Sequence, residues 1–313
     1  MNAATFDAHK FETGRSDPRL AESLKEFPPS IFSERLYQSI ELMERYSTEL
    51  AVDLLGRLNV VEQLREWRSA DELCVLLRFQ PRFKIALEWI LARLVETGCV
   101  EVQGDGTTCL YRLAHMPWQP NLKRLRAFGV NIDPSNAATL DLLDHAANLY
   151  PVIASGRQGG DQNLFGPQGI PLWLNYFHND NLTYAVNNWI GAVVAADHLS
   201  SRRSLRILEL GAGTGSGTEI LLKLLERRGL LPRVERYLVT EPNAYFRRFN
   251  QRKLAAQYSN VPLEWAALDL DLPWNTQGIS PATFDLIYAV NVMHIAKNLV
   301  FGLNEARSAL AAD

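Results

Sequence analysis

The sequence predicts an α/β chain: a Rossmann-like parallel sheet preceded by a helical, winged-helix-like domain. Three observations carry that reading. The apolar run Leu205 to Leu210 passes directly into Gly211-Ala212-Gly213-Thr214-Gly215 and then into an amphipathic stretch, Thr218 to Arg228. Three further apolar runs follow, each with an acidic or amide residue at or beyond its end. In the N-terminal third, apolar residues recur at helical spacing and give way to a short hairpin pattern. The expected divisions are a flexible arm over residues 1–29, the helical domain over 30–116, a helical connector or lid over 117–203, and the sheet domain over 204–313.

Taken in order, the arm ends in Pro28-Pro29. Helical periodicity runs from Ile31 to about Trp67, with Leu50, Leu54, Leu58 and Val61 on one face. A second helix is expected over Ala70 to Leu77 and a third over Pro81 to Thr97, where Gly98 stops it. Val100 to Val102 and Leu110 to Leu113 read as a hairpin turning at Gly104 to Thr107. Three helices and a hairpin invite a DNA-binding reading. The third helix argues against it, because Trp89, Ile90, Leu91, Leu94 and Val95 leave too few cations for phosphate contacts. In the connector, Lys123-Arg124-Leu125-Arg126 reads as a solvated basic face. Asn136 to Tyr150 reads as helix, Ser155 to Gly160 as a flexible turn, and Trp173 to Leu199 as mostly helix. That last segment is rich in aromatic residues. Trp189 suits core packing, whereas Tyr176 and Phe177 suit a roof over a ligand pocket.

Strand, glycine-rich turn and helix together let a nucleoside ligand approach the backbone closely. The acids indicate which nucleoside. Tyr237 to Thr240 forms a second strand ending at Glu241, a carboxylate able to accept both hydroxyls of a ribose. A third, near Val261 to Ala266, is followed by Asp269, Leu270 and Asp271, where an acceptor suits an adenine amino group. A fourth, Phe284 to Val290, ends at Asn291-Val292-Met293-His294, and a helix over Leu299 to Leu310 follows. The turn lacks the later spaced glycine of the dinucleotide fingerprint, so S-adenosylmethionine is favoured over NAD.

These residues carry a family resemblance. Glu209-Leu-Gly-Ala-Gly-Thr-Gly215 resembles motif I of class I S-adenosylmethionine methyltransferases. Phe284 to Leu299 is similar to the carbon-methyltransferase domains of polyketide synthases, whose fourth strand commonly ends Asn-Val-Leu-His-Ala-Thr. Asn291 and His294 match it, while Met293, Ile295 and Ala296 are variants. Leu164 to Gly169, Tyr176-Phe177 and Asn187 resemble that group's lead-in to motif I. The family's tyrosine aligns with either Tyr176 or Phe177. The resemblance implies a cofactor site made by Glu209, Gly211, Ala212, Gly213, Gly215, Glu241, Asp269, Leu270, Asn291 and one of Tyr176 and Phe177. It implies three more strands after the fourth, so the chain is expected to be a piece truncated before strand five. An acid partnering the histidine would lie beyond it.

His294 is the expected catalytic residue. Carbon methylation removes a proton from an activated carbon, and imidazole titrates near neutral pH. The resemblance implies an acyl chain on an acyl carrier protein as substrate, with neighbouring synthase domains as partners. Some loading-module relatives look like metalloenzymes, which would make His294 a ligand with His178, His198 or Asn291, but no ligand spacing supports a metal site. Two other readings stand beside this one. The N-terminal module also resembles the dimerisation or lid domain of small-molecule O-methyltransferases acting as homodimers, and an inactive structural methyltransferase-like domain is the third reading.

Composition narrows the class further. The 313 residues are 47% hydrophobic and 21% charged, with a net charge of −3. That balance gives no reason to expect nucleic-acid binding. Three cysteines, Cys74, Cys99 and Cys109, lack metal spacing and fit reduced thiols in the cytoplasm. Neither a signal-peptide pattern nor a run of membrane-spanning length is present, so no membrane partner is expected.

Overall fold

The computed structural model describes residues 24–104, 108–157 and 159–312, without the side chains of residues 161 and 162. Residues 1–23 of the expected arm, 105–107 of the hairpin turn and 158 of the glycine-rich segment lie outside the described residues. Helix α1 (Glu34–Arg57) starts at Ser33, whose side-chain oxygen accepts from the Leu36 N–H and so satisfies an orphaned donor. The helix stops well short of the expected Trp67. Asn59 takes φ 57°, and the Val60 N–H reaches back to the Leu55 carbonyl at 2.9 Å. This is a left-handed helix cap, which asparagine tolerates. Val60 and Leu64 are still buried, so their spacing reports burial through a turn and not a continuing helix.

Strand β1 (Arg68–Ser69), helix α2 (Ala70–Leu76), helix α3 (Lys84–Glu96) and strands β2 (Val100–Gln103) and β3 (Leu110–Leu113) follow. The strands form an antiparallel sheet in the order β1-β3-β2. At two residues, β1 is too short to show alternation, and the sequence reading missed it. Ser69 and Glu72 form a reciprocal capping box that starts α2. Leu55, Leu73, Leu87 and Leu94 centre this module's core.

Helix α4 (Leu122–Ile132) was also missed; the basic cluster lies on it. Arg126 is not simply solvated, since it pairs with Asp141 and, at 2.9 Å, with Asp144. Helix α5 (Asn136–Ala154) runs through Pro151, past the expected end at Tyr150. Helices α6 (Gly160–Leu164), α7 (Gly169–Tyr176) and α8 (Leu182–Leu199) complete the connector. The expected helix over Trp173 to Leu199 is therefore broken. At the break the Phe177 carbonyl accepts from the Thr214 hydroxyl at 2.8 Å and from the Ser216 hydroxyl. Asn179 donates to the Ser216 carbonyl at 3.1 Å. The chain leaves the helix to bond the glycine-rich turn.

Strand β4 (Leu205–Leu210), helix α9 (Ser216–Arg227), strand β5 (Val234–Thr240), helix α10 (Ala244–Gln257), strands β6 (Leu263–Ala266) and β7 (Leu286–Ala289) and helix α11 (Leu299–Ala309) follow in order. The strands are parallel, in the order β6-β5-β4-β7. Leu208 of β4 lies between Leu238 of β5 and Ile287 of β7. Successive side chains point to opposite faces. Ile207 packs with α8 and α9, and Leu208 and Leu210 pack with Trp274 and Phe284. Burial on both faces explains why β4 is apolar on both sides. The expected fourth strand began at Phe284, but that residue lies ahead of β7 and bridges in parallel to Leu310. No helix among the described residues is long and apolar enough to cross a membrane.

Candidate active site

The glycine-rich turn joins β4 to α9, and its glycines serve different ends. Gly211, Gly213 and Gly215 have φ of 58°, 56° and 81°, a region that penalises any Cβ. A Cβ on Gly211 would lie 2.3 Å from Val292 Cγ2, and one on Gly215 would lie 2.8 Å from Asn250 Cβ. Those two glycines let the β7 loop and α10 close in. A Cβ on Gly213 would meet nothing within 4 Å. Its bare backbone opens onto a cleft of about 910 Å³ at the carboxyl ends of the strands.

The cleft gathers most of the expected residues. Gly211 and Gly213 form its floor, Glu241 comes from the end of β5, and Asp269 and Leu270 follow β6. Asn291 and His294 come from the loop after β7, and both Tyr176 and Phe177 line the wall. Glu209, Ala212 and Gly215 do not line it. Glu209 lies behind the turn, accepting from the Tyr237 hydroxyl at 2.6 Å. There it is 3% exposed, and burial pushes its carboxyl up to about 7, opposed by the hydrogen bond from Tyr237.

Glu241 ties the turn to β5. Its Oε2 accepts from the Gly213 N–H at 2.9 Å and its Oε1 from the Asn243 N–H at 2.8 Å. Burial raises its pKa, and those two N–H bonds and Arg247 oppose the rise. Each carboxylate oxygen keeps a lone pair for a further donor. The acids after β6 brace the opposite rim. Asp269 accepts from the Asp271 N–H at 2.9 Å, and Asp271 accepts from the Lys297 N–H at 2.7 Å. This joins the β6 loop to the loop that carries His294. Asn291, where that loop begins, has φ 53°, an uncommon conformation that asparagine adopts more readily than most residues. His294 itself is exposed.

The sequence reading left parts of the wall unassigned. Phe165, Trp173, Tyr184 and Phe246 join Tyr176 and Phe177 in lining it. The Trp173 ring stacks on Phe165 at 5.3 Å and on Phe177 at 4.9 Å. Phe246 comes from α10, remote in sequence from the others; only the cap signal of Asn243, just after Glu241, hinted that this segment faces the cleft. His178 and His198, considered as metal co-ligands, do not line the cleft. No group of three or more His, Cys, Asp or Glu able to hold a metal occurs among the described residues.

A family profile described as "Methyltransferase domain" matches residues 208–313, the segment that supplies the turn, both acid-bearing loops and His294. The solved CurJ carbon methyltransferase is similar over 94% of this chain and 75% of its own, at 25% identity and a TM-score of 0.76. Residues 208–313 thus form a methyltransferase domain, in a fold shared with a solved carbon methyltransferase. The fold of this methyltransferase domain and its N-terminal module also matches the DszA carbon methyltransferase, with a TM-score of 0.70 over 95% of this chain and 76% of the other, at 24% identity. Among curated relatives, the highly reducing polyketide synthase rstn3 of Aspergillus nomiae is 36% identical over 109 residues, 35% of this chain and 4% of that protein. Polyketide synthase ThaQ of Burkholderia thailandensis is 24% identical over 315 residues, 95% of this chain and 14% of that protein. The methyltransferase chain thus spans a small fraction of the synthases it matches.

Proposed function

We propose that the chain binds S-adenosylmethionine in this cleft and methylates a carbon next to the thioester carbonyl of an acyl chain held on an acyl carrier protein, within a polyketide synthase. One observation carries the reading: a bare glycine backbone, two acids after successive strands and a histidine after the fourth meet in a single cleft. The residues fit the cofactor. Gly213 leaves room for close approach, Glu241 can accept from ribose hydroxyls, and Asp269 can accept from an adenine amino group. The aromatic wall at Tyr176 and Phe177 suits a sulfonium cation. The cofactor supplies an electrophilic methyl group.

The chain's own residues do the rest. His294 takes the proton from the substrate carbon, and the cleft walls hold that carbon in line with the methyl group, an arrangement that supplies much of the rate. The relatives' names support the synthase setting and the carbon acceptor. The test is intact-mass analysis of a carrier protein bearing a 3-ketoacyl thioester, mixed with the protein and S-adenosylmethionine. A gain of one methyl mass is expected. Cofactor binding without methylation of that substrate would overturn the assigned acceptor.

A further inference from the structure

We infer that Asn187 is a catalytic residue that donates a hydrogen bond to the substrate carbonyl oxygen as it becomes an enolate. This rests on the proposed carbon methylation and names the group that bears its charge. Proton removal by His294 sends the C–H electron pair into the carbonyl, so negative charge develops on oxygen. The new carbon–methyl bond then forms as the methyl–sulfur bond breaks, and the sulfur leaves with the electron pair as a neutral thioether. An enolate needs a positioned donor.

Among the described residues, no lysine or arginine lines the cleft; its charged neighbours are Glu241, Asp269 and Asp271. A neutral donor can serve, and the cleft offers Tyr176, Tyr184, Asn187, Asn243 and Asn291. Asn243 sits at the Glu241 end, where its side chain caps α10 by accepting from the Tyr245 and Phe246 N–H groups. The Trp173 indole N–H is already given to the Leu164 carbonyl at 2.9 Å. Asn187 has neither engagement. It is exposed on α8 and lines the cleft, whereas its neighbour Asn188 is buried and donates to Asn179 at 2.9 Å.

The placement of α8 brings Asn187 to the reacting end. One turn further on, Gly191 lies so close to the loop after β7 that a Cβ there would sit 3.0 Å from Val290 Cγ2. Residues four apart share a helix face, so Asn187 stands on the face that meets Val290. Val290 leads directly into Asn291 and His294, and all of them line one cleft. Base and donor thus approach the substrate from two elements that touch.

The experiment uses the protein and a 3-ketoacyl pantetheine thioester, read by deuterium uptake at the α-carbon in D₂O and by methyl-transfer turnover. Asn187→Ala is expected to lower both by about 10²–10³-fold, the usual loss for one oxyanion donor, with cofactor affinity by calorimetry and Tm close to wild type. Asn187→Asp should be slower still, because a carboxylate repels the enolate. Rates for Asn187→Ala within a few-fold of wild type, or Asn187→Asp as active as wild type, would overturn the inference. A wild-type protein that binds cofactor but neither exchanges nor methylates the thioester would overturn the carbon-methylation reading itself, and the inference with it.

Discussion

Glu241 and His294 separate binding from chemistry at the scale of single side chains. Glu241→Ala removes an acceptor of cofactor hydroxyls and also frees the Gly213 N–H that it now holds. Calorimetry should show S-adenosylmethionine binding weakened by roughly 1.5–3 kcal/mol, the range for hydrogen bonds to a charged group. Unchanged affinity would remove Glu241 from the proposed cofactor site. His294→Ala should abolish methyl transfer with cofactor affinity nearly intact, since a base acts in the transition state. Glu209 makes a different prediction. Its carboxyl is raised to about 7 by burial, with Tyr237, Thr218, Asn188 and Tyr288 around it. A raised acid stabilises the fold fully below the ordinary carboxylate range and loses that contribution as pH rises through about 7. Glu209→Gln keeps an acceptor for Tyr237 without a charge. It should unfold at a higher temperature than wild type above pH 7, by up to on the order of 3 kcal/mol. The difference should vanish toward about pH 3, below the unfolded glutamate's titration at about 4.3. A pH-independent difference would rule out a neutral Glu209 in the folded protein.

The glycine-rich turn is where element geometry and ligand access can be pulled apart. Gly211→Ala forces a Cβ into Val292, whereas Gly213→Ala points one into open space. Both variants carry the positive-φ penalty of about 1–2 kcal/mol. Thermal unfolding should therefore show Gly211→Ala clearly less stable than Gly213→Ala, while both lose cofactor affinity. Equal Tm values would mean that the turn relaxes away from β7. The turn itself was legible in the sequence because glycine spacing and strand burial are local signals. The break between α7 and α8 was missed, although Asn179-Asp180-Asn181 is a local turn signal, with Asn181 at the N-cap of α8. There the Phe177 carbonyl leaves the helix to accept from Thr214 and Ser216.

The open side of the sheet matters at the scale of the whole molecule. Among the described residues β7 has β4 as its strand partner, and just ahead of its free edge the Ala311 N–H donates to the Phe284 carbonyl at 2.8 Å. Beside it, α11 exposes Leu299, Val300 and Leu303 at 48%, 69% and 53%. An unpaired strand edge next to an apolar helix face favours association. The 313-residue polypeptide expressed alone should scatter light as aggregates or oligomers, and Val300→Glu with Leu303→Lys should raise the concentration at which it does so. A monodisperse wild-type monomer would sink this prediction.

The sequence by itself determined the parallel sheet, the turn and the acids after its strands. Each of those depends on residues adjacent in the chain: an apolar run buried on both faces, glycines at fixed spacing, a carboxylate at a strand end. It also pointed to His294, because chemistry in this sheet belongs to the loops at the carboxyl ends. Tertiary structure decided which of these residues meet. Glu209, beside the glycines in sequence, turned inward because alternation along β4 sends it to the face occupied by Tyr237. Phe246 entered the aromatic wall because Asn250 on its helix packs against Gly215. Asn187 reached the cleft because Gly191 allows α8 to ride on Val290. Such contacts join segments far apart in the chain, and their close approach depends on which side chains are absent as much as on which are present.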